Sequence, residues 1–103
     1  FDMSNYQDIT IKFASWLNTD YPEYVKHAVE VSVDGTNWTT IWQHTERTDI
    51  TNSQWNINEY PIGSNANGKS TIYIRWVYQI LADRTYPYSG WNLDDIQLTG
   101  RKR

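Results

Sequence analysis

Apolar and polar residues alternate along most of this 103-residue chain. The alternation is clearest at residues 72–80, where isoleucine and aromatic side chains share one parity. A period of two is typical of β-strands, because successive side chains of a strand point to opposite faces. We therefore predict an all-β fold and no helix.

Six segments carry the strand pattern, and glycine, proline or asparagine separates them. They cover residues 9–17, 25–33, 38–43, 55–60, 72–80 and 89–98. Residues 45–53 are polar and are predicted to form a loop. Asp34-Gly35 predicts a tight hairpin between the second and third strands, because both residues tolerate a positive φ. Apolar residues on both parities of the fifth strand predict a central position in its sheet.

The predicted connections between strands three and four, and between five and six, are too long for tight hairpins. Connections of this kind are typical of strands that cross between two packed sheets. We predict an antiparallel β-sandwich of the Greek-key or jelly-roll type over residues 1–100, followed by a solvated tail at 101–103.

Composition excludes several classes of function. Twelve acidic residues against nine basic ones give a net charge of −3, so no basic field would attract nucleic acid. The absence of cysteine excludes disulfides, thiol catalysis and thiolate metal sites. No run is apolar and long enough to insert into a membrane. The metalloprotease, serine-hydrolase and phosphate-loop motifs are absent, which favours a non-catalytic protein.

The last predicted strand carries two adjacent acids, Asp94 and Asp95, beside apolar residues. Carboxylates next to a buried run are costly unless they are paired, hydrogen-bonded or metal-bound. In a regular strand the two side chains point to opposite faces, so either one faces inward or the strand contains a bulge.

Four segments then carry a family likeness in their order and spacing. They are residues 2–4 (DMS), 31–38 (VSVDGTNW), 74–76 (IRW) and 90–96 (GWNLDDI). Together they resemble the MAM-type jelly roll, and above all the cysteine-free bacterial modules appended to immune-inhibitor-A-like secreted metalloproteases and to cell-surface adhesins. For the fold, the resemblance implies an antiparallel jelly-roll sandwich similar to galactose-binding domains. The resemblance implies a secreted or cell-surface location and neighbouring domains in a larger chain.

The resemblance also implies features that the sequence does not complete. A jelly roll usually has about eight strands, so six imply that the first strands are trimmed away or come from another chain. The family likeness further implies a structural calcium ion held by Asp94 and Asp95 near the N-terminal strands. Because calcium takes about six to eight oxygen ligands, Asp2, Asp8 and backbone carbonyls are the further candidates. The alternative is that one aspartate accepts loop amides and the other is solvated.

The aromatic residues suggest a carbohydrate site, since sugar-binding sandwiches stack exposed Trp or Tyr rings on pyranose faces. Packing in the core or on a sheet face is the alternative for each aromatic. The predicted ligand-binding residues are Tyr21, Tyr24, Trp42, Tyr86 and Tyr88. The tryptophans predicted to fill the core are Trp16, Trp55, Trp76 and Trp91.

The function predicted is therefore a non-catalytic extracellular binding or adhesion module that recognises a glycan or a protein. The alternative is a calcium-stabilised structural domain that accompanies a secreted metallopeptidase. A contribution to an enzyme is the third hypothesis.

Overall fold

The computed structural model describes residues 1–19, 21–22, 25–45, 50–81 and 90–102. Within these ranges the fold is all-β, as predicted, and contains two antiparallel sheets without an α-helix. The strands are β1 (Tyr6–Thr19), β2 (Val25–Ser32), β3 (Thr39–Gln43), β4 (Ile50–Thr51), β5 (Asn56–Pro61), β6 (Tyr73–Ile80) and β7 (Gly90–Lys102), with a 3₁₀ turn at Ser64–Ala66. None of the described elements is a helix that could cross a membrane.

The first sheet is built around β1. Strand β7 pairs with one edge of β1, and β5 and β4 follow one another along the other edge. This arrangement follows from the register, because Ile11 lies opposite both Tyr60 of β5 and Leu98 of β7. The strand that carries the two aspartates is thus hydrogen-bonded into the first sheet through its pairing with β1. It also continues through Arg101 and Lys102, which were expected in a tail but lie opposite Gln7 and Tyr6.

The second sheet has the order β3-β2-β6. The β2–β3 hairpin is confirmed, but six residues connect the strands, so the expected tight two-residue turn is wrong. Only Gly35 of the Asp34-Gly35 pair has a positive φ, of 77°. Strand β6 pairs with β2 alone among the described residues, so it is an edge strand and the predicted central position is wrong.

The chain passes between the two sheets as the long connections predict. It crosses after β3 and again after β6, the two crossings that were expected, and it also crosses after β1 and after β5. Strand β4 was missed because residues 45–53 are polar. The two sheets are compatible with a β-sandwich.

The core lies between the sheets and is filled from alternate positions. The inward parity of β1 supplies Ile9, Ile11 and Phe13, and that of β2 supplies Val29 and Val31. The N-terminal segment closes one end of this core. There Met3 is buried and donates its amide to the carbonyl of Lys69, at 2.9 Å.

Two β-bulges interrupt the β1–β7 ladder, and each contains an aspartate with positive φ. Asp8 in β1 has φ 52° and Asp95 in β7 has φ 51°. Aspartate tolerates this conformation better than most residues, because its short side chain can hydrogen-bond locally. Gly100 lies at the first bulge, where an added Cβ would come within 3.1 Å of the Gln7 carbonyl oxygen. Both aspartates of the twin pair are consequently exposed, so neither faces inward.

The buried carboxylate that needs compensation is Glu30 on β2. Its Oε1 accepts a 2.7 Å hydrogen bond from Nε of Arg75, and its Oε2 accepts one from the Thr40 hydroxyl. The Arg75 guanidinium also lies 3.9 Å from the ring centroid of Trp38. The hydrogen bond from Arg75 holds the pKa of Glu30 below its usual value, because it favours the charged carboxylate.

Candidate functional site

A cleft of about 380 Å³ opens between the two sheets, beside the second half of β1. Its size falls at the lower end of small-molecule sites, which span roughly 300–1,000 Å³. The aromatic lining residues are Phe13, Trp42, Tyr60 and Trp91, the polar ones are Ser15, Asn52, Asn56 and Asn58, and the aliphatic ones are Leu17, Ile50 and Ile57. The described lining thus combines aromatic rings with neutral hydrogen-bonding groups and contains no Asp, Glu, Lys, Arg or His.

Trp42 of β3 lies at the centre of the aromatic wall. Its ring is nearly parallel to that of Tyr60, with 23° between the planes and 6.4 Å between the centroids. On another side it approaches Trp91, at a centroid distance of 5.8 Å. Trp42 and Tyr60 belong to different sheets, so their stacking joins the two walls of the cleft.

The polar wall comes from β5 and the inward side of β1. Asn56 and Asn58 share the parity of Tyr60, and Asn58 lies opposite Phe13. The Asn58 Nδ2 donates a 2.8 Å hydrogen bond to the Ser15 hydroxyl, and the Tyr60 hydroxyl approaches Asn58 Oδ1 at 3.4 Å. Partial burial of the Tyr60 phenol raises its pKa, so the hydroxyl stays protonated at neutral pH.

Asn52 holds the remaining corner of the cleft. Its Oδ1 accepts the Leu17 amide at 2.8 Å, and its carbonyl accepts the Trp16 indole N–H at 2.9 Å. These two bonds fix the turn between β4 and β5 against β1. The Asn52 side chain is therefore held in position by the backbone amide of Leu17.

Trp91 contributes an unpaired donor at the inner wall. Its indole N–H is buried, and no hydrogen-bond partner for it is present in the described parts of the chain. The ring also packs on the buried His27, with centroids 5.3 Å apart. Most buried polar groups in proteins are hydrogen-bonded, so an orphan donor beside a cleft is consistent with a site that accepts a ligand.

A second depression, of about 340 Å³, lies beside the β2–β3 loop and the 3₁₀ turn. The loop carboxylate of Asp34 accepts the amides of Thr36 and Asn37, the Asn37 side-chain amide and the Ser32 hydroxyl. These bonds, the Asn37 amide first among them, lower the pKa of Asp34 strongly. Because the loop itself occupies this carboxylate, the second depression is the weaker candidate.

Of the two predicted ligand-binding residues that the structure describes, Trp42 lines the cleft and Tyr21 does not. Trp42 is half-buried and packs on the core, rather than forming an isolated surface platform. Tyr21 is exposed in a turn and is not part of the cleft lining. Tyr24, Tyr86 and Tyr88 fall outside the described residues.

Two of the four predicted core tryptophans pack as expected. Trp76 and Trp91 lie against the core, whereas Trp55 is 47% exposed and Trp16 takes the outward parity of β1. The prediction for Trp16 and Trp55 is therefore wrong. Trp16 and Trp55 instead contact each other edge to face, with centroids 5.9 Å apart.

The predicted calcium ligands lie apart. Asp2 accepts hydrogen bonds from the Ser4 amide and hydroxyl near the start of β1, and these bonds lower its pKa. Asp94 lies opposite Ala14, eight positions beyond Tyr6 along β1, which corresponds to roughly 25 Å of strand. Its Oδ1 accepts the Asp95 amide at 2.8 Å. No group of three metal-ligating side chains exists within the described ranges, so these residues do not assemble the ligand set that the resemblance implies.

The polar half of the cleft was missed by sequence reasoning. Trp55 was predicted to fill the core, but the register of β5 places Asn56, Asn58 and Tyr60 on the inward side instead. Glu59 could have indicated the orientation of β5. It shares the parity of Ile57, and a charged residue indicates the side of a strand that contacts solvent.

Comparison with known proteins adds no family. No model of a known protein family matches the chain, and no curated protein sequence matches it. The MAM-type likeness and the calcium ion it implies stay predictions.

Proposed function

We propose that the chain is a non-catalytic binding module that recognises an uncharged saccharide in the cleft between its sheets. The observation that carries the proposal is the inward-facing pair Asn56 and Asn58, which line the cleft together with the stacked rings of Trp42 and Tyr60. Amide side chains on the core side of a strand are costly when they meet only apolar neighbours. Here Asn58 already bonds Ser15 and Tyr60, and the Asn56 Nδ2 donates to the Gln54 carbonyl at 3.3 Å. The remaining hydrogen-bonding capacity of the two amides lies at an open cleft, where it can serve the hydroxyl groups of a ligand.

A pyranose ring matches the chemistry of both walls. Its C–H face packs on aromatic rings, and its hydroxyls donate to and accept from neutral amides. Because no charged side chain is found among the described lining residues, an acidic or cationic sugar would lose hydration without gaining an ion pair. This reasoning favours neutral hexoses and their amides over uronic or sialic acids.

The setting proposed for the module rests on the MAM-type resemblance. We propose a jelly-roll connectivity, a secreted or cell-surface parent protein and adhesion or substrate targeting as the task. The two antiparallel sheets are consistent with this connectivity.

The test is binding of the purified chain to immobilised methyl glycosides of glucose, galactose, mannose and N-acetylglucosamine, with glucuronic and sialic acid beside them. We expect millimolar to micromolar binding to at least one neutral sugar, and loss of about tenfold or more for Asn58→Ala, which removes hydrogen bonds in a desolvated site. Thr71→Ala, a change at an exposed residue outside the cleft, is the matched control.

Two outcomes would contradict the proposal. One is the absence of measurable binding to every neutral sugar by protein that is shown to be folded. The other is binding that Asn58→Ala leaves unchanged, which would place the ligand elsewhere. Binding to a protein or peptide alone would replace the saccharide with the other ligand class that the sequence predicts.

A further inference from the structure

The backbone register shows which side of β6 is open. In an antiparallel pair, the amides and carbonyls of successive residues point alternately to the two sides of a strand. The carbonyl of His27 on β2 accepts the His44 amide at 3.0 Å, so the odd-numbered β2 residues point towards β3 and the even-numbered ones towards β6. Each even-numbered β2 residue lies opposite an odd-numbered β6 residue. The β6 residues whose backbone groups point away from β2 are therefore Ile74, Trp76, Tyr78 and Ile80.

The position directly before this series already has a strand-like partner. Ile72 donates its amide to the Phe1 carbonyl at 2.8 Å, and its own carbonyl accepts the N-terminal ammonium of Phe1 at 3.0 Å. A reciprocal pair of this kind is the unit of an antiparallel ladder. Beyond it, no strand partner on this side of β6 is found in the ranges that the structure describes. The edge thus has the geometry to accept an antiparallel strand from Tyr73 onwards.

Strand β6 also lacks the features that protect most edge strands. Bulges, proline and unpaired charges are the usual protection. The register of β6 against β2 is unbroken, the strand contains no proline, and Nε of Arg75, its one charged residue, bonds Glu30 at 2.7 Å. The edge at β7 differs, because β7 contains a bulge and exposes Asp94 and Asp95. Strand β6 is therefore better suited than β7 to pair with another strand.

Apolar side chains are exposed along the same edge. Tyr78 and Ile80 have the inward parity of Trp76, yet they are 47% and 60% exposed. The neighbouring Leu81 is 50% exposed. Large contiguous apolar patches on monomeric proteins usually mark interaction surfaces. A strand added to β6 would cover these side chains from the open side.

We propose that this edge is a self-association surface, on which β6 of a second copy pairs antiparallel about a two-fold axis. The axis keeps the inward faces of both copies on one side, so residues of equal parity lie opposite one another. A register centred on Val77 meets this condition. It places Trp76 opposite Tyr78 of the partner subunit, and Ile74 opposite Ile80 of the partner subunit. The exposed side chains of each copy are then covered by the other.

Charge favours a second copy over a charged partner. The chain has a net charge of −3, so two copies repel each other wherever acidic surfaces meet. On β6, Arg75 already bonds Glu30 and, in the register centred on Val77, lies opposite Gln79 of the partner subunit. Like charges are therefore not brought together, and β6 has no unpaired charge that would attract a partner of opposite sign.

The area available indicates a weak dimer. Eight residues at about 3.3 Å each give an edge about 26 Å long, and side chains on both faces give it a height of roughly 20 Å. Each copy would bury roughly 500 Å², so the total of about 1,000 Å² lies at the lower limit of specific interfaces. We therefore expect dimerisation in the micromolar range and not at nanomolar concentration.

The first test uses the absence of cysteine from the chain. Val77→Cys would lie on the two-fold axis, in a non-hydrogen-bonded pair whose Cα atoms are about 4.5 Å apart, which a disulfide can bridge. Gln79→Cys is the matched control, because it lies on the same face of β6 but opposite Arg75 of the partner subunit. We expect mild oxidation to link most of the Val77→Cys chains and few of the Gln79→Cys chains. Equal linking of the two variants would contradict the register.

The second test measures mass against concentration. Sedimentation of the native chain should show a monomer of 12.2 kDa converting to a dimer with a Kd of about 10–100 µM. Ile80→Lys places a charge on the edge and should weaken the dimer about tenfold or more. Ile57→Lys, at a residue with a similar exposure of 62% on the first sheet, should leave the Kd within about twofold. Melting temperatures verify that each variant is folded.

Three results overturn the self-association surface. The first is a native chain that stays monomeric up to about 500 µM. The second is a dimer that Ile80→Lys does not weaken, which would place the contact elsewhere on the molecule. The third comes from hydrogen exchange of the Trp76 and Tyr78 amides, which should become protected only as the dimer forms. Equal protection in dilute and concentrated protein would show that another part of the same chain covers the edge.

Discussion

The two halves of β1 face the same inter-sheet space but meet different surroundings. Residues Ile9 and Ile11 in the first half are at most 1% exposed and belong to a closed apolar cluster. Residue Ser15 in the second half shares their parity, yet it contacts an asparagine at the wall of an open cleft. One strand thus builds a packed region and a polar region with the same backbone geometry.

The neighbouring strands explain this difference. The first half of β1 is covered by Met3, Ile62, Ala66 and Ile72, which come from the N-terminal segment and the connection between β5 and β6. The second half is flanked in its own sheet by Asn56 and Asn58 of β5, whose amides need polar partners and cannot fill an apolar core. The proposed binding site therefore lies where inward positions carry polar side chains instead of the apolar ones that fill the core.

The largest contrast should come from truncating one inward residue in each region. Ile11→Ala leaves a cavity at a site with 0% exposure, so we expect a loss of about 4 kcal/mol in the free energy of unfolding. Asn56→Ala, on the cleft wall, should cost less than about 1 kcal/mol. Chemical denaturation measures both. Equal losses would mean that the cleft is closed in solution and that the contrast between the two regions is wrong.

The second contrast is acid stability, which His27 connects to the cleft through its contact with Trp91. Burial first, and the electrostatic interaction with His44 second, lower the pKa of His27 from 6.5 to about 4. Neither ring nitrogen of His27 has a hydrogen-bond partner in the described structure. The folded state therefore favours the neutral imidazole.

The unfolded chain binds the proton first, near pH 6.5, so stability falls as the pH drops from about 6.5 towards 4 and is fully present above 6.5. A depression of this size corresponds to roughly 3 kcal/mol at most. We expect His27→Phe to flatten the dependence between pH 5 and 6.5, above the range in which Glu30 and Asp34 lose charge. A slope unchanged in His27→Phe would assign the acid sensitivity to another group.

The packed region is the part that the sequence predicts best. Period-two alternation of Ile9, Ile11 and Phe13 on β1 places them in the core, because a buried face requires a continuous apolar set. The long connections after β3 and β6 likewise predict crossings between the sheets. Alternation is visible within each strand by itself, and the length of a connection is visible between two strands, so both features can be inferred from the sequence.

The cleft could not be predicted in the same way, because its inward side chains are polar. The rule that apolar residues face inward reversed the orientation of β5 and placed Trp55 in the core. The same limit applies to β6, where Val77 faces outward but is partly covered beside the small Ala28 on β2. Apolar residues on both faces then resemble a central strand, although β6 is at an edge.

The twin aspartates show a further limit of pattern reasoning. Alternation alone requires either an inward carboxylate or a bulge, and only the register of β7 against β1 selects the bulge at Asp95. A bulge depends on how two distant segments pair. The compensated buried carboxylate is instead Glu30, whose partner Arg75 is 45 positions away.

The smallest expected effect on stability comes from converting the cleft into core. Ser15→Val combined with Asn58→Leu replaces both partners of a hydrogen bond by apolar groups, a change that is nearly neutral or slightly stabilising in proteins. We expect the free energy of unfolding to change by less than about 1 kcal/mol, while sugar binding disappears.

Asn58→Leu alone is the control, because it leaves the Ser15 hydroxyl buried and unpaired and should cost about 1–3 kcal/mol. A double variant that is stable and still binds sugar would show that the asparagines are structural and that the ligand lies outside the cleft. A double variant much less stable than Asn58→Leu would show that the polar wall is needed for the sheets to pack.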